Sequence, residues 1–472
     1  YMIHYTLKKG EEPVNIPRLV LAKERREGKV AQSILVASVL KSLGYPLRLF
    51  CAGVDEHLVR FLKLVTEQDV TVLDPFSCGS MRNFKLLFQR AASPDTLNII
   101  FGSIGERRDE NTFPVHPLPG EIARILECPL VTMLYADSSA AVTSRILENV
   151  FNQISAQGVI TSAVIFSSVL NPREYQLLET EAGRRVPLLC LGFIPKTLEK
   201  NNPPLMELCL QDMAQRAAFP VKAATAQLLG MVDQVDWNVL WGIAKQCKEC
   251  VAMDDPFKGK ASGMSVGILS FPSFELEGNN AALLFKHLGC TVYPIPLDSA
   301  LLRRDLNALY VPHGPGFLCA ERLLGKSGVR EWFTSIFHAR KAVLVNGGIT
   351  PLLGESFSLP NRKEYEGLKF FRFKGKFDIP SSDDVRRVEA VSTDGDVMLH
   401  QGDKIRGYLP PYISVLNPGN VAGAVWSLQD TVKNMEIGLS GWSRGAALAT
   451  DVCVELWSSI EGVYRWLMMR KQ

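Results

Sequence analysis

Residues 18–43 read RLVLAKERREGKVAQSILVASVLKSL. A short, mostly apolar run, Arg18–Ala22, leads into a charged loop holding Gly28 and Lys29, and an amphipathic stretch, Val30–Leu43, follows. The apolar run is continuous rather than alternating, which suits a strand covered on both faces of a parallel sheet. The same unit recurs outward along the chain. Further strands are expected at Pro46–Ala52, Leu97–Phe101, Leu130–Tyr135, Ser162–Phe166 and Pro187–Gly192, with a second helix at Ser139–Ile154. This alternation predicts a doubly wound α/β domain over residues 17–200.

Residues 201–262 change character: NNPP, a mixed helical stretch at Leu205–Leu229, Trp237 and Trp241, and the polar run DDPFKGKASG predict a helical connector and a linker. A second α/β series is expected over 263–472. Its strands are Ser265–Ser270, Thr291–Pro296, Ala308–Pro312 and Ala342–Asn346, and its helices Asn279–Leu288 and Gly328–Ala339. Short strands are expected around Leu368–Phe373, Val388–Val391 and Ala422–Ser427, and the apolar run Ala446–Leu467 reads as a terminal helix.

The 472 residues are too many for one compact core, which agrees with two domains. Apolar residues make up 47% and charged ones 21%, which excludes wholesale disorder. A net charge of +3 gives no global field for nucleic acid. The chain lacks an apolar run of transmembrane length and its opening, YMIHYTLKKG, lacks a secretory signal, so a soluble cytoplasmic protein is expected, without membrane or nucleic-acid partners. Tyr1 in place of an initiator Met suggests a start inside the natural chain or after processing. Ten cysteines are too sparse for a disulfide scaffold, and Cys247–Cys250, the one C-x-x-C, has no second ligand pair for zinc.

A phosphate-binding loop needs glycines that let backbone N–H groups wrap phosphate, a Lys, and a Ser or Thr hydroxyl for Mg²⁺. Gly28 and Lys29 meet this in part, but Val30 stands where the hydroxyl belongs and Arg26 and Glu27 replace small residues. From these residues alone an ordinary charged βα turn reads as well. Ligands of open α/β sheets bind at the carboxyl ends of the strands. That rule points to Gly53, Asp55, Asp74 and Pro75, with Lys29 and Arg25 as neighbouring cations; Asp55 as a helix cap and Asp74-Pro75 as a turn are the alternatives.

Further fragments, in order, give the chain a family resemblance. AGVDEH (Ala52–His57), TVLDPFSCG (Thr71–Gly79), IIFGSIGERRD (Ile99–Asp109), IARILECPLVTMLYADSSA (Ile122–Ala140) and VLVNGGITPLLGES (Val343–Ser356) resemble the cobyrinic acid a,c-diamide synthase family of ATP- and glutamine-dependent amidases. The resemblance implies a P-loop-NTPase-like domain followed by a flavodoxin-like, class I glutamine-amidotransferase-like domain, with ATP and Mg²⁺ as cofactors, a tetrapyrrole or other polycarboxylate as ligand, and a homodimer or partner protein. The departures fall on the chemistry. Val30, Phe101 and Ser167 replace a hydroxyl, a carboxylate and an amide of the nucleotide site. Asn346 stands at the nucleophile position, and GYLPPYIS (Gly407–Ser414) puts Pro411 at the position of the activating His. An amide is no nucleophile at neutral pH.

The expected function is therefore that of a catalytically impaired relative acting by binding a ligand or partner. The rivals are an ammonia-using, ATP-dependent ligase acting on a tetrapyrrole carboxylate, and a structural subunit of a larger complex. Cys319 reads as a packed thiol, and Ser443 in GWSRG as part of a glycine-rich helix start, because no His follows His400 to serve it. The apolar Trp457–Met469 is a candidate docking surface, or it packs on its own sheet.

Overall fold

The computed structural model describes residues 14–109, 112–297, 305–325, 327–339, 341–379, 386–416 and 423–469. The opening segment, residues 1–10, lies outside them, as does Ala422.

Seven parallel strands form the first sheet: β1 (Arg18–Arg25), β2 (Leu47–Ala52), β3 (Val70–Leu73), β4 (Leu97–Glu106), β5 (Leu130–Tyr135), β6 (Thr161–Val169) and β7 (Leu189–Pro195). Their order is β3-β2-β4-β1-β5-β6-β7, every neighbouring pair parallel. In β1, Leu19 and Leu21 enter one apolar cluster, Val20 and Ala22 the other, so both faces of the sheet are covered. Helices α1 (Gln32–Ser42) and α2 (Glu56–Thr66) cover one face; α3 (Met81–Ala91), α4 (Leu118–Ile125) and α5 (Ala140–Ser155) cover the other, with α6 (Pro172–Arg185) beside α5. The doubly wound first half is as expected. β3 is an addition: four residues inside TVLDP are too short to signal a strand.

The expected connector is more than a linker. Helices α7 (Leu205–Cys209), α8 (Gln211–Leu229) and α9 (Trp237–Ala244) pack against α1, α2 and the first sheet, with Val221, Leu228, Trp237 and Leu240 buried there. The Arg18 guanidinium, buried beneath β1, donates to the carbonyls of Leu126 and Lys248 and to Cys247 Sγ at 3.2 Å. Cys247 is thus an acceptor for a buried cation, and all ten cysteines are free thiols.

The second half departs from expectation. β8 (Ser265–Ser270), β9 (Thr291–Pro296), β10 (Ala308–Val311) and β11 (Ala342–Asn346) are parallel, with α10 (Asn280–His287), α11 (Ala320–Gly325) and α12 (Ser327–His338) between them. A small sheet follows, from β12 (Ser356–Ser358), β13 (Glu364–Glu366), β14 (Lys374–Phe377) and β17 (Ile413–Leu416). The main sheet continues through β15 (Arg386–Ser392), β16 (Lys404–Leu409), β18 (Ala424–Asp430), β19 (Met435–Arg444), β20 (Ala447–Thr450) and β21 (Cys453–Val454), in the order β21-β16-β15-β18-β19-β20-β11-β10-β8-β9. Only the β20-β11-β10-β8-β9 part is parallel, with α10 on one face and α11 and α12 on the other; the rest is antiparallel, so the expected doubly wound unit is extended into a mixed sheet.

The strand expected around Leu368–Phe373 is a loop between β13 and β14. Ala446–Leu467 is not one helix: it holds β20, β21 and, after a tight turn, α13 (Ile460–Met468). A buried apolar run does not reveal whether it is strand or helix. GWSRG is the end of β19 and its turn into β20, with Gly441 and Gly445 at φ 71° and 63°, and not a helix start. Trp457, Trp466 and Leu467 are fully buried, so the apolar excess of the terminal segment is used within the chain's own core.

Candidate functional site

The four residues placed at the carboxyl ends of the first sheet do meet there. Gly53 follows β2 at φ 78° and its N–H donates to Leu73 O at 2.8 Å; a Cβ here would lie 2.6 Å from the Leu118 side chain. Asp55 caps α2 by accepting from Leu58 N at 2.8 Å. Asp74, buried, accepts from Phe76 N at 3.1 Å and Ser77 Oγ at 2.9 Å, and pairs with Arg387 at 3.3 Å; Pro75 sits inside this turn. Asp55 thus serves as a helix cap through one oxygen, and Asp74 as a turn residue that also reaches Arg387 of the second half. The second half also covers this end: the guanidinium carbons of Arg387 and Arg406 stand 5.6 and 5.1 Å over the Phe76 ring.

At the centre of that contact lies a cluster that sequence reading missed. Glu56, in the first turn of α2, receives hydrogen bonds from Tyr408 at 2.8 Å and Tyr412 at 2.9 Å, and pairs with His313 Nε2 at 3.0 Å. Tyr412 Oη is 2.6 Å from the same His313 nitrogen, and the Gly348 amide donates to Nδ1 at 3.1 Å. Burial alone would raise the Glu56 carboxyl, but His313 and the two phenols outweigh it and hold the group below its ordinary value. Glu56 and His313 are 257 residues apart, a separation no local pattern spans.

Beside this cluster is the strand-to-turn elbow. Asn346 ends β11 and Gly347 turns the chain at φ 70°. A Cβ on Gly347 would meet His313 Nδ1 at 2.5 Å, so glycine is required. The Asn346 amide is buried and fully used. Its nitrogen shares two hydrogens among Tyr310 Oη at 2.8 Å, Glu277 at 3.1 Å and Val454 O at 3.1 Å, and its oxygen accepts from Val454 N at 2.8 Å. Pro411 does not join it: it is exposed on the turn between β16 and β17, where its ring rigidifies the bend, and Tyr408 and Tyr412 on either side point to the seam instead. The thiol nearest Asn346 is Cys453, with Sγ at 3.9 Å. Burial, then the Glu277 charge, push that thiol well above its ordinary value, so it is protonated at neutral pH.

Glu277, Asn280, Tyr310, Tyr408, Cys453 and Glu455 line a cavity of about 30 Å³ between the two halves, with Asp55 and Ser77 from the first. Burial pushes Glu277 up to about 8 and Glu455 to about 7; hydrogen bonds from Tyr310 and Asn280 respectively offset part of this. The volume suits one or two waters. Among the described residues no group of three His, Cys, Asp or Glu is arranged to hold a metal.

The residues of the Gly28-Lys29 loop do not fit a Mg–ATP site. Gly28 has φ 67° and Lys29 Nζ donates to Asn201 at 2.9 Å. Val30 and Phe101 are buried in the core, so neither position offers an oxygen. Arg26 pairs with Asp137 at 2.9 Å and Glu199 at 3.2 Å and lies over the Tyr135 ring; Arg107 joins Glu24 and Asp137. The carboxylates suited to Mg²⁺ are thus neutralised by arginines. Helix α1 starts without a side-chain cap, and Gln32 Oε1 and Ser33 Oγ beneath it are buried without a partner. Cys319 is a fully buried thiol bonded to Gly316 O, and Ser443 lies on β19.

No family model matches the chain. A cobyrinate a,c-diamide synthase of Caldanaerobacter subterraneus subsp. tengcongensis is 23% identical over 454 residues, covering 93% of this chain and 95% of the relative. That full-length likeness supports the family resemblance. Among solved structures, PurLQS from Thermotoga maritima matches 44% of this chain and 99% of its own at 11% identity and TM-score 0.31. FlhF with GTP and Mg²⁺ matches 39% of this chain and 66% of its own at 11% identity and TM-score 0.26. At such TM-scores these likenesses carry no argument. No helix among the described residues is long and apolar enough to cross a membrane.

Proposed function

We propose that this chain is a glutaminase-inactive relative of the cobyrinate a,c-diamide synthases that works by binding a polycarboxylate ligand, a tetrapyrrole or a compound like it, rather than by forming amides. The observation that carries the reading is Asn346. It occupies the elbow at the end of β11, it has no nucleophilic atom, and its amide instead ties that elbow to Glu277, Tyr310 and Val454. Cys453 cannot replace it, because a thiol held protonated by burial attacks poorly and no imidazole contacts it among the described residues. His313, the histidine nearest the elbow, has its ring nitrogens taken by Gly348, Glu56 and Tyr412.

The degenerate first-half loop supports the same reading: with Val30 and Phe101 in the core and Arg26 held by two carboxylates, the ATP step of an amide ligase has no metal-binding hydroxyl. In this reading the second half serves as a scaffold clamped to the first, and the chain acts as a homodimer or beside a partner protein. Glutamate release from glutamine, measured with and without the protein, is the direct test, and enzyme-like turnover overturns the proposal. An absorbance titration with carboxylated porphyrins tests the ligand class. A binding isotherm is expected, and no spectral or thermal response to any of them removes the tetrapyrrole from the proposal.

A further inference from the structure

The cavity between the two halves is small and acidic, so a polycarboxylate finds neither room nor counter-charge there. A second cleft, of about 860 Å³, has both. It opens at the amino end of β20, the opposite end of that strand from the Asn346 elbow, between the 367–373 loop, the start of the small sheet and the β19–β20 turn. Ligand clefts of drug-sized molecules run about 300–1,000 Å³.

Its charged lining is Lys369, Arg372, Arg444 and the carboxylate of Glu355, and Ser443 adds a hydroxyl; Lys369 is already paired with Glu366, so the two arginines are the cations left for a ligand. Arg372 is exposed and has no hydrogen bond or ion pair with another described residue. Arg444 spends one guanidinium nitrogen on Phe370 O at 3.0 Å, which fixes the side chain and leaves its other donors for a ligand. The loop is preorganised. Lys369 N donates to Gly354 O, and Phe370 N and Phe371 N both donate to Leu353 O. The Phe370 ring stacks on Phe337 at 4.1 Å beneath them. Lys369 is held at φ 59°, a left-handed conformation that a lysine adopts only under constraint. A rigid loop presenting planar, multi-donor arginines is the arrangement that recognises carboxylate and phosphate groups.

We propose that this cleft is a binding site for a small polyanion carrying two or more carboxylate or phosphate groups. The inference rests on the ligand-binding reading above and gives that ligand a place: its acidic groups meet Arg372 and Arg444, and Lys369 sits at the rim. Because the cations are exposed, binding weakens as salt rises.

The test is calorimetric titration of the full chain with citrate, with inorganic pyrophosphate and with an octacarboxylated porphyrin. Wild type, Arg372→Glu and Glu355→Gln are compared; both sites are exposed surface positions, and a thermal melt confirms that each variant folds. Arg372→Glu is expected to weaken binding by at least about tenfold, the scale of one charge-assisted contact, and Glu355→Gln to tighten it. Binding of pyrophosphate alone, with that dependence on Arg372, upholds the site and overturns the polycarboxylate reading. Binding of citrate or porphyrin that is unchanged in both variants overturns the site and leaves the reading standing. No binding of any probe at millimolar concentration overturns the site.

Discussion

Replacing Glu277 by Gln should make the protein more stable at alkaline pH while leaving it unchanged at acid pH. Glu277 accepts from Tyr310 Oη at 2.6 Å through one oxygen and from His313 N at 3.0 Å and Asn346 Nδ2 at 3.1 Å through the other. Burial raises its carboxyl from 4.5 to about 8. Below pH 4.5 the folded and unfolded chains both hold the proton, and its contribution is fully present. As pH rises toward 8 the unfolded chain ionises and the folded one does not, so stability is lost over that window. At 1.36 kcal/mol per pH unit the ceiling is about 5 kcal/mol, and partial solvent access at the seam brings the observable to about 2–3 kcal/mol. A glutamine is the neutral isostere: its oxygen keeps the bonds from His313 and Asn346, and its NH₂ faces Tyr310 Oη, whose hydroxyl turns from donor to acceptor as it must toward the protonated acid. Urea unfolding from pH 5 to 9 measures this. The wild type should lose midpoint as pH rises, and Glu277→Gln should stay flat and exceed it at pH 8.5. Parallel curves for the two proteins, or a variant weaker than wild type at pH 8.5, would refute the reasoning.

Glu56→Gln is expected to cost about 3–5 kcal/mol, because one of the three groups now donating to its carboxylate is left facing an NH₂; unfolding followed by probes in each half should then split into two transitions. Since the Glu56 carboxyl is held below its ordinary value, its stabilisation is present above pH 4.5 and lost as pH falls through the folded value. The Gln variant should lack that acid-side loss. Asn346→Ala strands the Val454 N–H and C=O and should cost about 2–4 kcal/mol in urea unfolding, whereas Asn346→Cys should release no glutamate, because no imidazole is free to activate the thiol. Calorimetry with millimolar Mg–ATP should show weak binding or none, and a micromolar dissociation constant would mean that Arg26 leaves Asp137 and Glu199 to meet phosphate.

What the sequence revealed and what it hid divide along one physical line, that of local against non-local information. The strands β5, β8, β9 and β11 fall at their expected bounds: β5, β8 and β11 are largely apolar runs ended by turn or polar residues, and β9 is a half-exposed edge strand. The antiparallel half of the second sheet was harder to read, since strands such as β16 and β18 mix polar and apolar residues and Lys404 and Arg406 pair across to Glu389. Ala446–Leu467 misled for the opposite reason: residues buried on every side carry no period. The site follows the same line. Asn346 and Gly347 were legible as an elbow only through the family resemblance of Val343–Ser356, and the structure adds the positive φ that the turn needs at Gly347. Pro411 was matched by motif order alone, and order does not say which side of a bend faces inward; its neighbours Tyr408 and Tyr412 do. The Glu56–His313 pair needs both halves already folded and docked, so nothing within either segment could announce it. The consequence bears on how the molecule works. Glu56 would be free to serve a ligand at the carboxyl ends of β2 and β3 only if the second half withdrew from it, and the clamp of two phenols and one imidazole opposes that withdrawal. A ligand that enters the seam must therefore outbid three hydrogen bonds, whereas one that binds the Arg372–Arg444 cleft at the far end of β20 displaces none.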